Sequence, residues 1–431
     1  METGNMQVML AMGIFFITYG LIVSEKIHRT VAALTGAVCM IVFGVISQEQ
    51  ALRHVDFNTL GLLTGMMIIV TITGDTGLFR YLAIWTAKKV NGDPIKLLVA
   101  LGTITAVCSA LLDNVTTVML MVPITISITR QLKLKPMPYL ISQIIASNIG
   151  GTATLIGDPP NIMIGSAVKE LNFMAFINNM ALISTLIYIV TIILLVFIYR
   201  GSLQTKGEVR VDLSNMDERK QIKNPKVLKY CLAVITATIV MFCFHQLLHL
   251  EAATVAMFGA TALLLLTQKH TDHNLEYLFK QVEWVAIFFF VGLFILVGGL
   301  IETGIIAELA KQAIKLTEGD VATAAILILW MSAIASAFLD NIPFVATMIP
   351  LIKDMGAMGV TNLEPLWWSL ALGACLGGNG TLVGASANVV VAGLAAAEGC
   401  IISFRGYFKI GFPLMIVSIL MANVYIYLRY L

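Results

Sequence analysis

The stretches 7–24, 30–47, 57–74, 173–199 and 232–250 contain no charged residue, and each runs 17 residues or more. At about 1.5 Å of helix per residue, each is long enough to cross an apolar layer of roughly 30 Å. One such run could be the buried helix of a soluble core. Recurrence about ten times in one chain has no soluble counterpart. The composition agrees: 58% of the residues are hydrophobic and 12% are charged, against about 25% charged in soluble domains. The expected fold is an all-α polytopic membrane protein with about 10 full transmembrane helices, because helices satisfy their own backbone groups in lipid. The partner implied throughout is the lipid bilayer. A net charge of +2 implies no acidic bulk partner and no nucleic acid. The cysteines at 39, 108, 231, 243, 375 and 400 form no Cys-x-x-Cys, so neither a disulfide framework nor a zinc site is suggested, and no cofactor is expected. The first apolar segment has no small-residue cleavage site and reads as a retained helix.

Charge sets the orientation. The segment 200–229, "RGSLQTKGEVRVDLSNMDERKQIKNPKVLK", holds eight of the 27 Lys and Arg residues. With it in the cytoplasm, alternation puts 21 basic residues on that side, Lys26 and Arg29 among them. Six fall on the other side: Arg53, Lys169, Lys311, Lys315, Lys353 and Arg429. Both termini are then extracytoplasmic, in a plasma (inner) membrane. The same segment is the expected boundary between two halves. The organisation expected is an N-terminal helix at 1–29, a first repeat at 30–199, a solvated cytoplasmic linker at 200–229, and a second repeat at 230–431.

The repeat is visible without gaps at an offset of 227 residues. "CSALLDN" at 108–114 meets "ASAFLDN" at 335–341, and "MVP" at 121–123 meets "MIP" at 348–350. "GGTATLIGDPPN" at 150–161 meets "GGNGTLVGASAN" at 377–388. Coincidence of Gly, Pro, Asp and Asn in one register marks an internal duplication. An odd number of crossings separates the halves, so the repeats are inverted. Inverted repeats are a common build of secondary transporters, with a binding site near mid-membrane between them.

Two features in each half depart from simple spans. Hairpins are expected at 95–131 and 321–353, turning at Asp113-Asn114 and at Asp340-Asn341. Charge parity allows either re-entrant hairpins or two full spans. Broken helices are expected at 138–170 and 366–398, because Gly-Gly and Pro-Pro cannot continue a regular helix. The breaks bring Gly150, Gly151, Thr152, Thr154, Gly157, Asp158 and Asn161 in the first half. They bring Gly377, Gly378, Asn379, Thr381, Gly384, Ser386 and Asn388 in the second. Free N–H and carbonyl groups at a helix break are ready ligands for an ion or a small polar substrate. Asp113 and Asp340 are also expected to N-cap the second hairpin arms, with Thr116 and Thr117 in the first turn after Asp113. An ionisable group inside a membrane segment is costly and by default points to function. These 20 positions, counting Asn114 and Asn341, form the candidate substrate- and ion-binding set. Sodium is a possible occupant at Asp113 and Asp340.

Weaker candidates surround them. Asp75 and Glu302 align in the repeat and open amphipathic stretches that read as interfacial helices. His245-x-x-x-His249 has metal-ligand spacing but stands at a span end with only Glu251 nearby, so no metal site is assigned. No Ser/His pair, His-Glu-x-x-His or Gly-x-Ser-x-Gly lies in the spans, and the chain is not expected to be an enzyme. It has no Gly-x-x-x-x-Gly-Lys-Ser/Thr loop, so energy must come from an ion gradient or from a separate ATPase subunit.

"LLDNVTTVMLMVPITI" followed by "NIGGTATLIGDPPNIMIG" resembles the ArsB/NhaD permeases of the ion transporter superfamily, in the pink-eyed-dilution branch, with a citrate transporter-like domain. The resemblance spans essentially the whole chain. It implies an elevator-like secondary transporter, often a homodimer, with a scaffold and a mobile unit. In the related divalent anion/sodium symporters Ser-Asn-Thr stands at each hairpin tip. Here the tips read Asp113-Asn114-Val115 and Asp340-Asn341-Ile342, which tells against sodium-coupled dicarboxylate uptake. Arsenite or antimonite efflux, sodium/proton antiport and anion transport are the activities implied. No Lys or Arg lies between Leu97 and Thr129, between Tyr139 and Val168, between Val321 and Ile352, or between Leu366 and Phe404, so the site is expected to hold Asp113, Asp340 and Asp158 without a basic counterion. Dehydrated like charges resist simultaneous ionisation, which suits proton or cation exchange. The leading expectation is a proton-coupled antiporter exporting a small inorganic species such as arsenite. A sodium/proton antiporter, a cation-coupled organic or inorganic anion transporter and a channel-like facilitator are its rivals.

Overall fold

The computed structural model describes residues 2–24, 26–203, 217–268 and 275–431. Among these residues the regular structure is entirely helical, and its elements repeat. The first half runs α1 (Glu2–Ser24), α2 (Arg29–Val42), α3 (Gln48–His54), α4 (Phe57–Asp75), α5 (Leu78–Lys89), α6 (Pro94–Leu111), α7 (Asn114–Gln131), α8 (Met137–Thr152), α9 (Pro159–Ala167), α10 (Phe173–Phe176) and α11 (Leu182–Leu203). A π-helical turn, Ile177–Ala181, joins the last two. The second half runs α12 (Pro225–Phe244), α13 (Ala252–Thr267), α14 (Leu275–Lys280), α15 (Trp284–Glu302), α16 (Ile305–Leu316), α17 (Val321–Phe338), α18 (Asn341–Ala357), α19 (Glu364–Gly377), α20 (Ser386–Ala397) and α21 (Phe404–Tyr430). From α4 to α9, every helix start recurs 227 residues later in α15 to α20. Among the described residues eight helices are long and apolar enough to cross a membrane, and α2, α13 and α20 are shorter apolar helices.

Local chemistry explains the helix ends. Asp93 and Asp320 cap the first hairpin arms by accepting the Lys96 and Thr323 N–H groups at 2.8 and 2.9 Å. Asp113 and Asp340 cap the second arms, accepting from the Thr116 N–H at 2.7 Å and the Ile342 N–H at 3.2 Å. The apolar run 30–47 is not one continuous span. Helix α2 stops at Val42, and Gly44 takes a left-handed φ of 71° that turns the chain into α3.

Close packing of small residues holds the pairs. A Cβ added to Gly65 of α4 would meet Ala256 of α13, and one added to Gly292 of α15 would meet Ala33 of α2. Likewise Gly150 of α8 abuts the Ala106 carbonyl of α6, and Gly377 of α19 abuts the Ala333 carbonyl of α17. Such glycines let helix backbones approach. Hydroxyls reinforce the same contacts. Ser109 Oγ donates to the Ser147 carbonyl and Ser336 Oγ to the Ala374 carbonyl, both at 2.6 Å. Each hairpin is thereby bound to the broken helix of its own repeat.

The linker expected at 200–229 lies partly outside the described residues. Its final part is docked rather than free. The Lys223 N–H donates to the Thr76 carbonyl at 3.0 Å, and Lys88 pairs with Glu218 at 2.6 Å.

Candidate functional site

Both hairpin tips end in the interior, side by side. A small void of about 40 Å³ is lined by Asp113 and Asn114 from the first tip, Asn341 from the second, and Asp158 and Ser386 from the two breaks. Arg29 and Glu283 complete its polar lining. The first arms, 18 residues and about 27 Å of helix each, carry Asp113 and Asp340 inward to opposite sides of Arg29 and Ser386. The alternative of a hairpin turning outside the protein does not describe either tip.

The breaks are tied by asparagines. Asn161 Nδ2 donates to the Gly151, Thr152 and Thr154 carbonyls at 3.3, 3.3 and 2.9 Å. Asn388 Nδ2 does the same in its repeat, to Gly378 at 2.7 Å and Thr381 at 2.9 Å. Gly157 folds back against Gly151, and Gly384 against Gly378, where side chains would collide. Thr154 and Thr381 donate their hydroxyls to the Ala110 and Ala337 carbonyls just before each tip. These threonines brace the loop, so their hydroxyls are committed and do not face the void.

The two repeats also meet across the centre. Asn148 Nδ2 donates to Asn379 Oδ1 and Asn388 Oδ1, each at 2.9 Å, and Asn148 Oδ1 accepts from Asn114 Nδ2 at 3.2 Å. Cys375, the repeat counterpart of Asn148, donates from Sγ to Asn161 Oδ1 at 3.4 Å. Asn341 Nδ2 donates to Asp158 Oδ1 at 3.4 Å. Several buried atoms here have no hydrogen-bond partner among the described residues: Asn114 Oδ1, Thr117 Oγ1, Asp158 Oδ2 and Asn379 Nδ2. Three of the four are oxygens. Buried polar atoms are normally satisfied, and unsatisfied oxygens beside carboxylates are suited to hard monovalent or divalent cations, or to protons.

One expectation is corrected. The site does have a basic group. Arg29, the first residue of α2, pairs with Asp340 and donates from the same Nη1 to Ser386 Oγ at 2.7 Å. Ser386 Oγ in turn donates to Asp340 Oδ2 at 2.8 Å. Arg29 stands outside the hairpins and breaks, 311 residues away in sequence from its partner, at a span end where its charge bears on topology. Glu283, Asn148 and Cys375 were missed as well. Glu283 had a signal: it is the repeat counterpart of Asp56. Asp56 caps α4 through the Asn58 and Thr59 N–H groups at 3.0 and 3.2 Å. Glu283 makes no side-chain cap on α15 and faces the void instead. Asn148 had a signal too, as an amide inside the apolar run "YLISQIIASNIG".

A second cavity, of about 440 Å³, reaches the Asp340 side of the site. Tyr19, Ser24, His28, Arg29, Asp340 and Ser386 supply its polar lining. Arg29 and Ser386 border both spaces, so they form the wall between them.

Comparison with known proteins agrees with this architecture. The profile of the CitMHS family, described as citrate transporter, matches residues 19–373. The chain belongs to this citrate transporter family. It is 38% identical to a 46 kDa membrane protein of Mycobacterium leprae over 428 residues, covering 98% of this chain and 99% of that one. It is 40% identical to an uncharacterized transporter of Mycobacterium tuberculosis over 427 residues, covering 98% of each. It is 34% identical to the human P protein over 494 residues, covering 96% of this chain but only 59% of that longer protein. The fold is also that of the solved YdaH transporter of Alcanivorax borkumensis, with a TM-score of 0.61 at 12% identity and 97% of each chain covered. This family member is therefore a multi-pass membrane transporter with an inverted-repeat helical fold, and not an enzyme.

Proposed function

We propose that the chain is a secondary antiporter that exchanges protons or a small monovalent cation at the meeting point of its two hairpin tips. The observation that carries this reading is the charge balance there. Asp113, Asp158 and Glu283 line the void with one guanidinium, Arg29, which is already paired with Asp340. Such a site holds a surplus of negative charge in a dehydrated space, and a proton or cation relieves it. Asp113 and Asp340 are the exchanging groups, with Asp158 beside them and Asn114 and Asn341 as neutral ligands. The favoured cargo remains a small inorganic species such as arsenite, which enters such a site uncharged as a hydroxide. Coupling would come from protons or Na+, in a plasma membrane, with both termini outside and the chain working as a homodimer.

Sliding of each hairpin-plus-break unit against α1–α4 and α12–α15 would supply alternating access.

A second reading is favoured by Arg29 and by the family description. A carboxylate substrate entering the cavity of about 440 Å³ could take the guanidinium when Asp340 is neutralised by a cation. Proteoliposomes under an imposed proton gradient test both, with arsenite, sodium and citrate measured side by side. Uphill arsenite or sodium flux supports antiport. Citrate flux alone overturns it in favour of the second reading, and flux that never exceeds equilibrium indicates a facilitator.

A further inference from the structure

We infer that Arg29 is a built-in competitor for the transported or coupling cation: its guanidinium takes the place of that cation at Asp340 in the state seen here. The inference rests on the exchange reading above and assigns to one residue the task of expelling the ion.

The two halves of the site differ in this respect. Asp340 is 9% exposed and, besides its helix-capping bond, has two side-chain partners, Arg29 and Ser386. Its counterpart Asp113 has neither. The residue matching Ser386 is Pro159, which has no hydroxyl to offer, and the residue matching Arg29 at the start of α13 is Ala252. Positive charge is therefore built into the second half only. Arg29 is also held from behind, with its guanidinium carbon 5.1 Å from the centre of the Phe289 ring on α15.

A guanidinium stays charged at any physiological pH. While it is paired with Asp340, a second cation on the same carboxylate would face a like charge at contact distance. Asp340 can accept a proton or Na+ only when Arg29 withdraws, and the return of Arg29 drives that ion off. Arg29 belongs to α2 and Asp340 to the hairpin formed by α17 and α18, so relative motion of these elements makes and breaks the pair. The ionisable groups around it are few: Tyr19 on α1, His28 before α2, Asp113 at the other tip, Asp158 at the first break, and Glu283 before α15. Only His28 among them can add positive charge, and its Nδ1 already accepts from the Thr30 N–H at 3.3 Å.

Removing the competitor should tighten cation binding and slow cation release. Arg29→Gln is the variant, assayed in vesicles loaded with a pH-sensitive dye. One arm varies Na+ at fixed pH, and the other varies pH at fixed Na+. For whichever ion the wild-type chain exchanges, the half-saturating concentration should fall by about tenfold or more, the scale of one charge-assisted hydrogen bond. Maximal turnover should fall at the same time, and Arg29→Lys should restore both. An unchanged or raised half-saturation in folded Arg29→Gln overturns the inference while leaving exchange itself intact. Exchange of neither ion by the wild-type chain overturns the underlying reading, and the inference with it. A measurement on the wild-type protein covers the case in which the variant does not fold. Phenylglyoxal labelling of Arg29, normalised to the exposed Arg53 and read by peptide mass, should rise severalfold under saturating Na+ or acid. Flat labelling under both conditions overturns the inference.

Discussion

The two hairpin tips began as copies of one sequence and now sit in unlike surroundings. The first tip is sealed: Asp113 borders a void of about 40 Å³ with Asp158 and Glu283. The second tip opens onto a cavity of about 440 Å³, and its aspartate is already paired with Arg29. A duplicated fold supplies two equivalent positions. Substitution at single places, Pro159 against Ser386 and Asp158 against Ala385, then divides the labour between them. The lesson is that the backbone of the repeat is conserved within the chain while the chemistry at its focus is not.

The largest effect expected is at the sealed tip. Asp113→Asn keeps the N-cap, since an amide oxygen can still accept from the Thr116 N–H, but removes the charge. It should abolish pH-dependent exchange in vesicles with expression unchanged, and full activity would remove Asp113 from the mechanism. Next comes Asp158→Ala, which gives the first break the residue of the second. Exchange should fall by about tenfold or more as Asn341 loses its acceptor. A silent substitution would mean that the halves are more alike than their sequences.

A third comparison concerns stability, measured by thermal unfolding in detergent. Gly77 and Gly304 are repeat counterparts with left-handed φ values of 86° and 75°. A Cβ at Gly77 would run into the Gln221 carbonyl, whereas one at Gly304 meets nothing within 4 Å. Gly304→Ala should cost about 1 kcal/mol for the backbone alone. Gly77→Ala should cost roughly 3 kcal/mol, because overpacking adds to the same strain. Equal costs would show that the docked segment after the linker contributes nothing.

The smallest effect lies at that same dock. The hydrogen bond from Lys88 holds the Glu218 carboxyl below the usual glutamate range. A lowered folded value means that the unfolded chain binds the proton more readily. The stabilisation is thus complete above the ordinary glutamate range and is lost as pH falls through the lowered value. Lys88→Ala should flatten the acid limb of the stability curve slightly, and an unchanged limb would show the pair to be inert.

Much of this was legible in the residues. The offset of 227 predicted the helix starts from α4 to α9 and α15 to α20, because caps, glycines and prolines write helix ends into local sequence. The tips and breaks were legible for the same reason. Arg29 and Glu283 were not, because they come from outside the hairpins and breaks and reach the site only through packing. Nor could charge parity decide how deep the hairpins go, since both arrangements return the chain to the same side. The burial of both tips around one interior void decided it.

The central cross of amides has one more consequence. Asn388 of the second repeat is satisfied by Asn148 of the first, and Asn161 of the first by Cys375 of the second. Neither half can complete its own break, so neither is a finished folding unit. A single-repeat ancestor would have met the same need only from a second copy inserted the other way up. Gene fusion would then have frozen that antiparallel pair into one chain and freed each copy to drift toward its own task.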